Sequence, residues 1–157
     1  MRRLLVLSAA AAAVALVVVS PFLGRADVSG QYRPLLPPDG LASGCYPLPG
    51  GVVPEFAYVL RRDGDMLSVD GLRRRAVLHY DRVSGAEATA VLEQQLAAAG
   101  VDEPVTITTE DFDVPADSVV RGEMVLDLPV VARQRDEPTC RDANSTKRFA
   151  PDLVDRS

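Results

Sequence analysis

The chain has 157 residues, a formal charge of −5 and two cysteines. Beyond an N-terminal apolar run and a Pro-rich stretch, about 110 residues remain, enough for one domain with one core. With Arg2 and Arg3 set aside, 15 basic and 22 acidic residues are left, a balance of −7 that disfavours nucleic acid or anionic lipid as the main partner.

Met1-Arg2-Arg3 precedes an apolar run from Leu4 to Leu23, interrupted only by Ser8, Ser20 and Pro21. Residues 1–24 therefore read as a transmembrane anchor or a signal segment. A run of about 20 apolar residues is long enough to cross a bilayer core, whereas a cleaved signal has a shorter apolar region. Length favours the anchor. Gly24-Arg25-Ala26 is the best cleavage site if the segment is removed. Arg2 and Arg3 favour an amino terminus kept in the cytoplasm. The expected location is the cell membrane, single-pass, with the C-terminal domain outside the cytoplasm; the alternative is secretion. Cys45 lies too far beyond the run to be a lipid-modified cysteine.

Usage of 16 Arg against one Lys (Lys147), with one Ile (Ile107) and one Asn (Asn144), follows GC-rich codons and suggests a high-GC bacterium. In such a source the sequon Asn144-Ser145-Thr146 carries little weight.

Residues 25–54 read as a Pro/Gly-rich linker passing into the domain edge, with Pro34, Pro37, Pro38, Pro47, Pro49 and Pro54 resisting helix and stiffening the chain. Residues 55–140 form the expected extracytoplasmic domain, and 141–157 a polar, loosely held tail. An even pair of cysteines in an exported chain predicts a disulfide between Cys45 and Cys140.

Within the domain, Phe56, Tyr58 and Leu60 alternate as in a strand, and Asp63-Gly64 has the chemistry of a hairpin turn. Met66 to Val69 would return, Asp70-Gly71 would turn again, and Ala76 to Val83 would form a third strand. Ser84 with Glu87 predicts a capping box. The helix it opens runs to Ala99, buries Ala88, Val91, Leu92, Leu96 and Ala99, and stops at Gly100. Val105 to Thr109 and Val119 to Leu128 complete the strands, Pro129 marking an end. The order βββαββ predicts an α+β fold: a two-layer sandwich of one helix on a mainly antiparallel sheet of about five strands.

Candidate chemistry is sparse. The sequence holds no nucleophile elbow, zinc-protease motif, phosphate-binding loop or dinucleotide fingerprint. His79, the single histidine, reads as a strand residue with a hydrogen-bonding role. The acidic stretch Asp102, Glu103, Glu110, Asp111, Asp113 and Asp117 offers oxygen ligands, but Val114-Pro115 stands where a calcium loop needs its glycine turn. The basic candidates are Arg61, Arg62, Arg73, Arg74 and Arg75, whose guanidinium groups suit carboxylates or phosphates on a partner. They face the acidic stretch either across the molecule or in internal pairs.

These features predict a non-enzymatic, membrane-tethered domain without cofactor or metal. It would bind an envelope or extracellular protein through its sheet edge or charged faces. The alternatives are a cleaved, secreted small enzyme or enzyme inhibitor, and a calcium-stabilised envelope module. Short anchored proteins of high-GC bacteria share this layout, an analogy that transfers no function.

Overall fold

The computed structural model describes residues 36, 38–68 and 71–149. The apolar run 4–23 and the cleavage site at 24–26 lie outside the described residues. Among the described residues no helix is long and apolar enough to cross a membrane.

Among the described residues a 3-10 turn (Pro49–Gly51) is followed by five strands and three α-helices: β1 (Tyr58–Ser68), β2 (Gly71–Asp81), α1 (Gly85–Ala98), β3 (Thr106–Asp111), β4 (Val120–Pro129), the single-turn helices α2 (Pro138–Arg141) and α3 (Ala143–Thr146), and β5 (Arg148–Phe149). The sheet order is β3-β4-β2-β1-β5. All neighbours are antiparallel except β1 and β5, which are parallel. The fold is α+β, as the pattern of elements predicts.

The helix forms where its sequence says. Ser84 Oγ accepts from the Glu87 N–H at 3.2 Å, and Glu87 Oε2 accepts from the Ser84 N–H at 2.8 Å, closing the capping box. At the other end Gly100 takes φ +68°, and Val101 and Gly100 donate back to the carbonyls of Leu96 and Ala97. That pairing is a Schellman stop, which favours glycine because the left-handed conformation costs it nothing. Gly85, Ala88, Leu92 and Leu96 are buried, Val91 packs partly, and Ala99 lies outside as the C-cap.

The core joins this helix face to Leu60, Leu78, Tyr80, Met124, Leu126 and Leu128 on the inner side of the sheet. Leu41 and Leu48 are also fully buried in it. The Pro-rich stretch is therefore part of the domain from Gly40 onward. Cys45 and Cys140 are bonded, with Cα atoms 5.2 Å apart, and the Cys45 carbonyl accepts from the Gln134 N–H at 2.9 Å. The disulfide ties the segment before β1 to the one after β4. A loop of 95 positions closed this way contributes up to about 4–5 kcal/mol in the chain-entropy model.

Two expectations are corrected. Asp63-Gly64 is not a turn: β1 passes straight through it, and β1 and β2 pair as far as Ser68↔Gly71. The turn expected at Asp70-Gly71 falls partly on positions 69 and 70, which lie outside the described residues. The three strands expected before the helix are thus two long ones. The fifth strand comes instead from Arg148–Phe149, inside the segment expected to be a loose tail, and it pairs with Asp63 and Gly64.

The physical reason lies under Asp63. A bulge between Leu60 and Arg62 adds Arg61 as an extra residue and moves the alternation by one. Asp63, not Arg62, then points inward beside Arg74. Both are wholly buried. Arg74 Nε and Nη2 donate to the two Asp63 oxygens at 2.8 and 2.7 Å, and Nη1 and Nη2 also donate to the carbonyls of Pro47 and Tyr46. Arg148 donates to Asp63 at 3.1 Å and to Asp65 at 2.5 Å, and its guanidinium lies 4.7 Å from the centre of the Tyr46 ring. A buried charge is tolerated only when paired and hydrogen-bonded, and here the Asp63–Arg74 pair is.

Asp63→Ala should therefore lower unfolding stability by about 3–5 kcal/mol, because Arg74 keeps its charge without a counter-ion. Replacing the pair together, as Asp63→Leu with Arg74→Met, should cost clearly less than that single change. Urea denaturation of the three proteins measures both. Equal loss in the single and double variants would contradict the ion-pair account.

Candidate interaction surface

The sheet has an inner face against the helix and an outer face that is half exposed. On the outer face three cross-strand rows can be read from the register. One is Thr106, Asp127, Arg75 and Gly64; the next is Thr108, Val125, Val77 and Arg62; the third is Glu110, Glu123, His79 and Val59.

The five candidate arginines separate across this frame. Arg74 is fully buried in the pair with Asp63, so its guanidinium faces the interior rather than a partner. Arg73 donates to Asp127 at 2.7 Å and to the Pro104 carbonyl at 2.6 Å. Arg75 approaches the other Asp127 oxygen at 3.7 Å. Arg61 and Arg62 alone of the five are classed as exposed, and neither makes an ion pair with a described residue. The bulge is what presents them: without the extra residue, Arg62 would point inward and Asp63 outward.

His79 sits on the outer face, where its Nε2 lies 3.3 Å from Glu123 Oε2. Its ring meets Phe112 edge-on at 5.4 Å between centroids. Glu110 stands directly across from Glu123, a like-charge pair on the outer face.

Part of the acidic stretch lies inside a strand. Glu110 and Asp111 are the last two residues of β3. Asp111 Oδ1 accepts from the Tyr80 hydroxyl at 2.8 Å and from the Gly85 N–H at 2.9 Å, so this carboxylate joins the sheet to the N-terminus of α1. Among the described residues no group of three His, Cys, Asp or Glu side chains could hold a metal ion. The Tyr80 ring lies across Gly122, where a Cβ atom would meet its hydroxyl at 2.1 Å. Sequence reading missed this arrangement, although a glycine opposite an aromatic in adjacent strands is its signal.

Two grooves among the described residues lie near α1 and β3. One, of about 250 Å³, runs between α1 and β3 and is lined by Glu93, Leu96, Ala97, Val101, Glu103, Val105 and Ile107. The other, of about 500 Å³, shares Val101 and Glu103 with it and continues past Gly100 to Pro129 and Val130. β3 itself is an edge strand, paired on one side only, with β4. The acidic edge and the exposed arginines of β1 are thus separated by β4 and β2, while Arg73 and Arg75 are paired internally. No protein-family model, curated protein or solved structure matches the chain.

The phenols give a pH test. Tyr80 titrates well above the ordinary tyrosine range, chiefly because it is desolvated and also because it donates to Asp111. Tyr58 is pushed up by burial and by the Asp39 carboxylate. A pKa raised in the folded state stabilises the fold below the unfolded value and is lost as pH climbs past it. Stability should therefore fall above about pH 10, and the phenolate absorbance of these two residues should appear together with unfolding. Phenolates of Tyr58 and Tyr80 forming near pH 10 in a protein that keeps its circular dichroism would contradict the assigned environment.

Proposed function

We propose that this chain is a membrane-tethered, extracytoplasmic domain that binds a protein of the cell envelope and does not transform it. The charged start and apolar run of residues 1–24 support the tether. The Cys45–Cys140 bond supports an oxidising compartment, since such bonds persist outside the reducing cytosol. Binding, as opposed to placement, rests on one observation. Arg73, Arg74, Arg75 and Arg148 are each held by an aspartate, whereas Arg61 and Arg62 project into solvent from the bulge in β1. Two adjacent planar cations without a counter-ion among the described residues suit a carboxylate- or phosphate-bearing partner, to which arginine binds in bidentate geometry.

The test is crosslinking in intact envelopes of the native host. The wild-type chain should give a discrete crosslinked species in the membrane fraction. Arg61→Glu with Arg62→Glu should reduce its yield several-fold, while Arg141→Glu, a charge reversal at an exposed pair with Asp136, should leave it unchanged. Crosslinking indifferent to Arg61 and Arg62 would count against this surface, and any turnover lost on His79→Ala would count against a binding domain.

A further inference from the structure

The opposite edge of the sheet carries a second surface, independent of Arg61 and Arg62. β3 uses one side to pair with β4, and among the described residues no strand pairs with the backbone N–H and C=O groups of its other side. Edge strands of this kind are usually blunted by charge, proline or a covering element. Here the blunting is incomplete. Thr106 to Thr109 carry no charge, and the Asp111 carboxylate is turned to Tyr80 and Gly85.

Alternation along β3 sets what an added strand would meet. Ile107 and Thr109 lie opposite Leu126 and Met124 of β4 and share their inner side; Thr106, Thr108 and Glu110 share the outer side. A sixth strand would lie about 4.8 Å farther out, with alternate side chains on the inner side. Those side chains fall into the groove between α1 and β3, whose apolar surface comes from Leu96, Ala97, Val105 and Ile107. Its two charged lining residues are Glu93 and Glu103, both exposed, with no basic residue among the lining and no ion pair to a described residue. The groove therefore supplies three independent features: unpaired backbone groups, an apolar seat at strand spacing, and carboxylates of a single sign beside it.

We infer that β3 accepts an extended peptide segment of an envelope protein, in which apolar residues alternate with Lys or Arg. The segment extends the sheet by one strand. Its apolar side chains enter the groove and its basic ones lie on the outer side with Glu110, while Glu93 and Glu103 at the groove's rim add to the negative field that draws a basic segment. Charge complementarity selects a basic segment over an acidic one, and the need for backbone pairing selects a peptide over a lipid headgroup. The inference shares with the proposed function only the premise that the domain binds a protein.

The experiment uses the full chain in zwitterionic nanodiscs and a short fluorescent peptide of alternating Val and Lys, with empty nanodiscs as the blank. Anisotropy should show saturable binding. A Val/Glu peptide, and a Val/Lys peptide N-methylated at alternate residues, should each bind roughly tenfold more weakly or worse. Ala97→Trp, which fills the groove from an exposed helix position, should weaken the Val/Lys peptide by a similar factor. Glu93→Gln with Glu103→Gln should do so without adding bulk. Equal affinity for the N-methylated peptide, or indifference to Ala97→Trp, would reduce the effect to ionic attraction and overturn strand addition. Absence of binding by every peptide would overturn it as well. In either case the Arg61- and Arg62-dependent crosslink in intact envelopes reports separately on whether the domain binds a protein at all.

Discussion

The arrangement depends on one interior ion pair. Asp63 and Arg74 are both removed from water, and neither charge is tolerable there alone. Their mutual contact requires Asp63 to face inward. The bulge at Arg61 provides this, and it simultaneously sends Arg61 and Arg62 outward. The same guanidinium binds the carbonyls of Tyr46 and Pro47, which draws the Pro-rich segment onto the sheet. The same carboxylate receives Arg148, which brings in the chain after α3 and lets β5 form beside β1. One polar cluster thus links the hairpin to the segments that precede and follow it. The disulfide joins the same outer segments covalently from a different point.

How much of this is legible in the sequence follows from the range of the forces involved. The helix is readable almost to the residue because its signals are local: Ser84 and Glu87 are three positions apart, and Gly100 acts on its own turn. The Cys45–Cys140 bond is readable because two cysteines leave only one pairing within the chain. Asp63-Gly64 misleads because its local preference for a turn is outweighed by contacts with Arg74 and Arg148, residues 11 and 85 positions away. β5 is two residues long and has no periodicity to detect. Leu41 and Leu48 sit among prolines and glycines, so composition marks their stretch as linker, while burial makes them core.

The candidate site divides along the same lines. Sequence reading identifies the arginine cluster and the acidic stretch but not which members are consumed by the fold. Arg73, Arg74 and Asp111 are indistinguishable in the sequence from Arg61, Arg62 and Glu110. Only the register separates them, through Asp127 across from Arg75, Asp63 beside Arg74, and Tyr80 reaching Asp111. The groups left over lie at opposite sides of the sheet, basic on β1 and acidic along β3.

The account as a whole requires an exported and oxidised chain, and the most direct test is the intact mass of the protein taken from membranes of its native host. The sample is alkylated once without reduction and once after it. The account predicts a mass beginning at Met1, with no alkylation before reduction and two alkyl groups after it. Alkylation of Cys45 and Cys140 without reduction would contradict the covalent closure and the compartment it implies, and a mass beginning at Asp27 would contradict the tether.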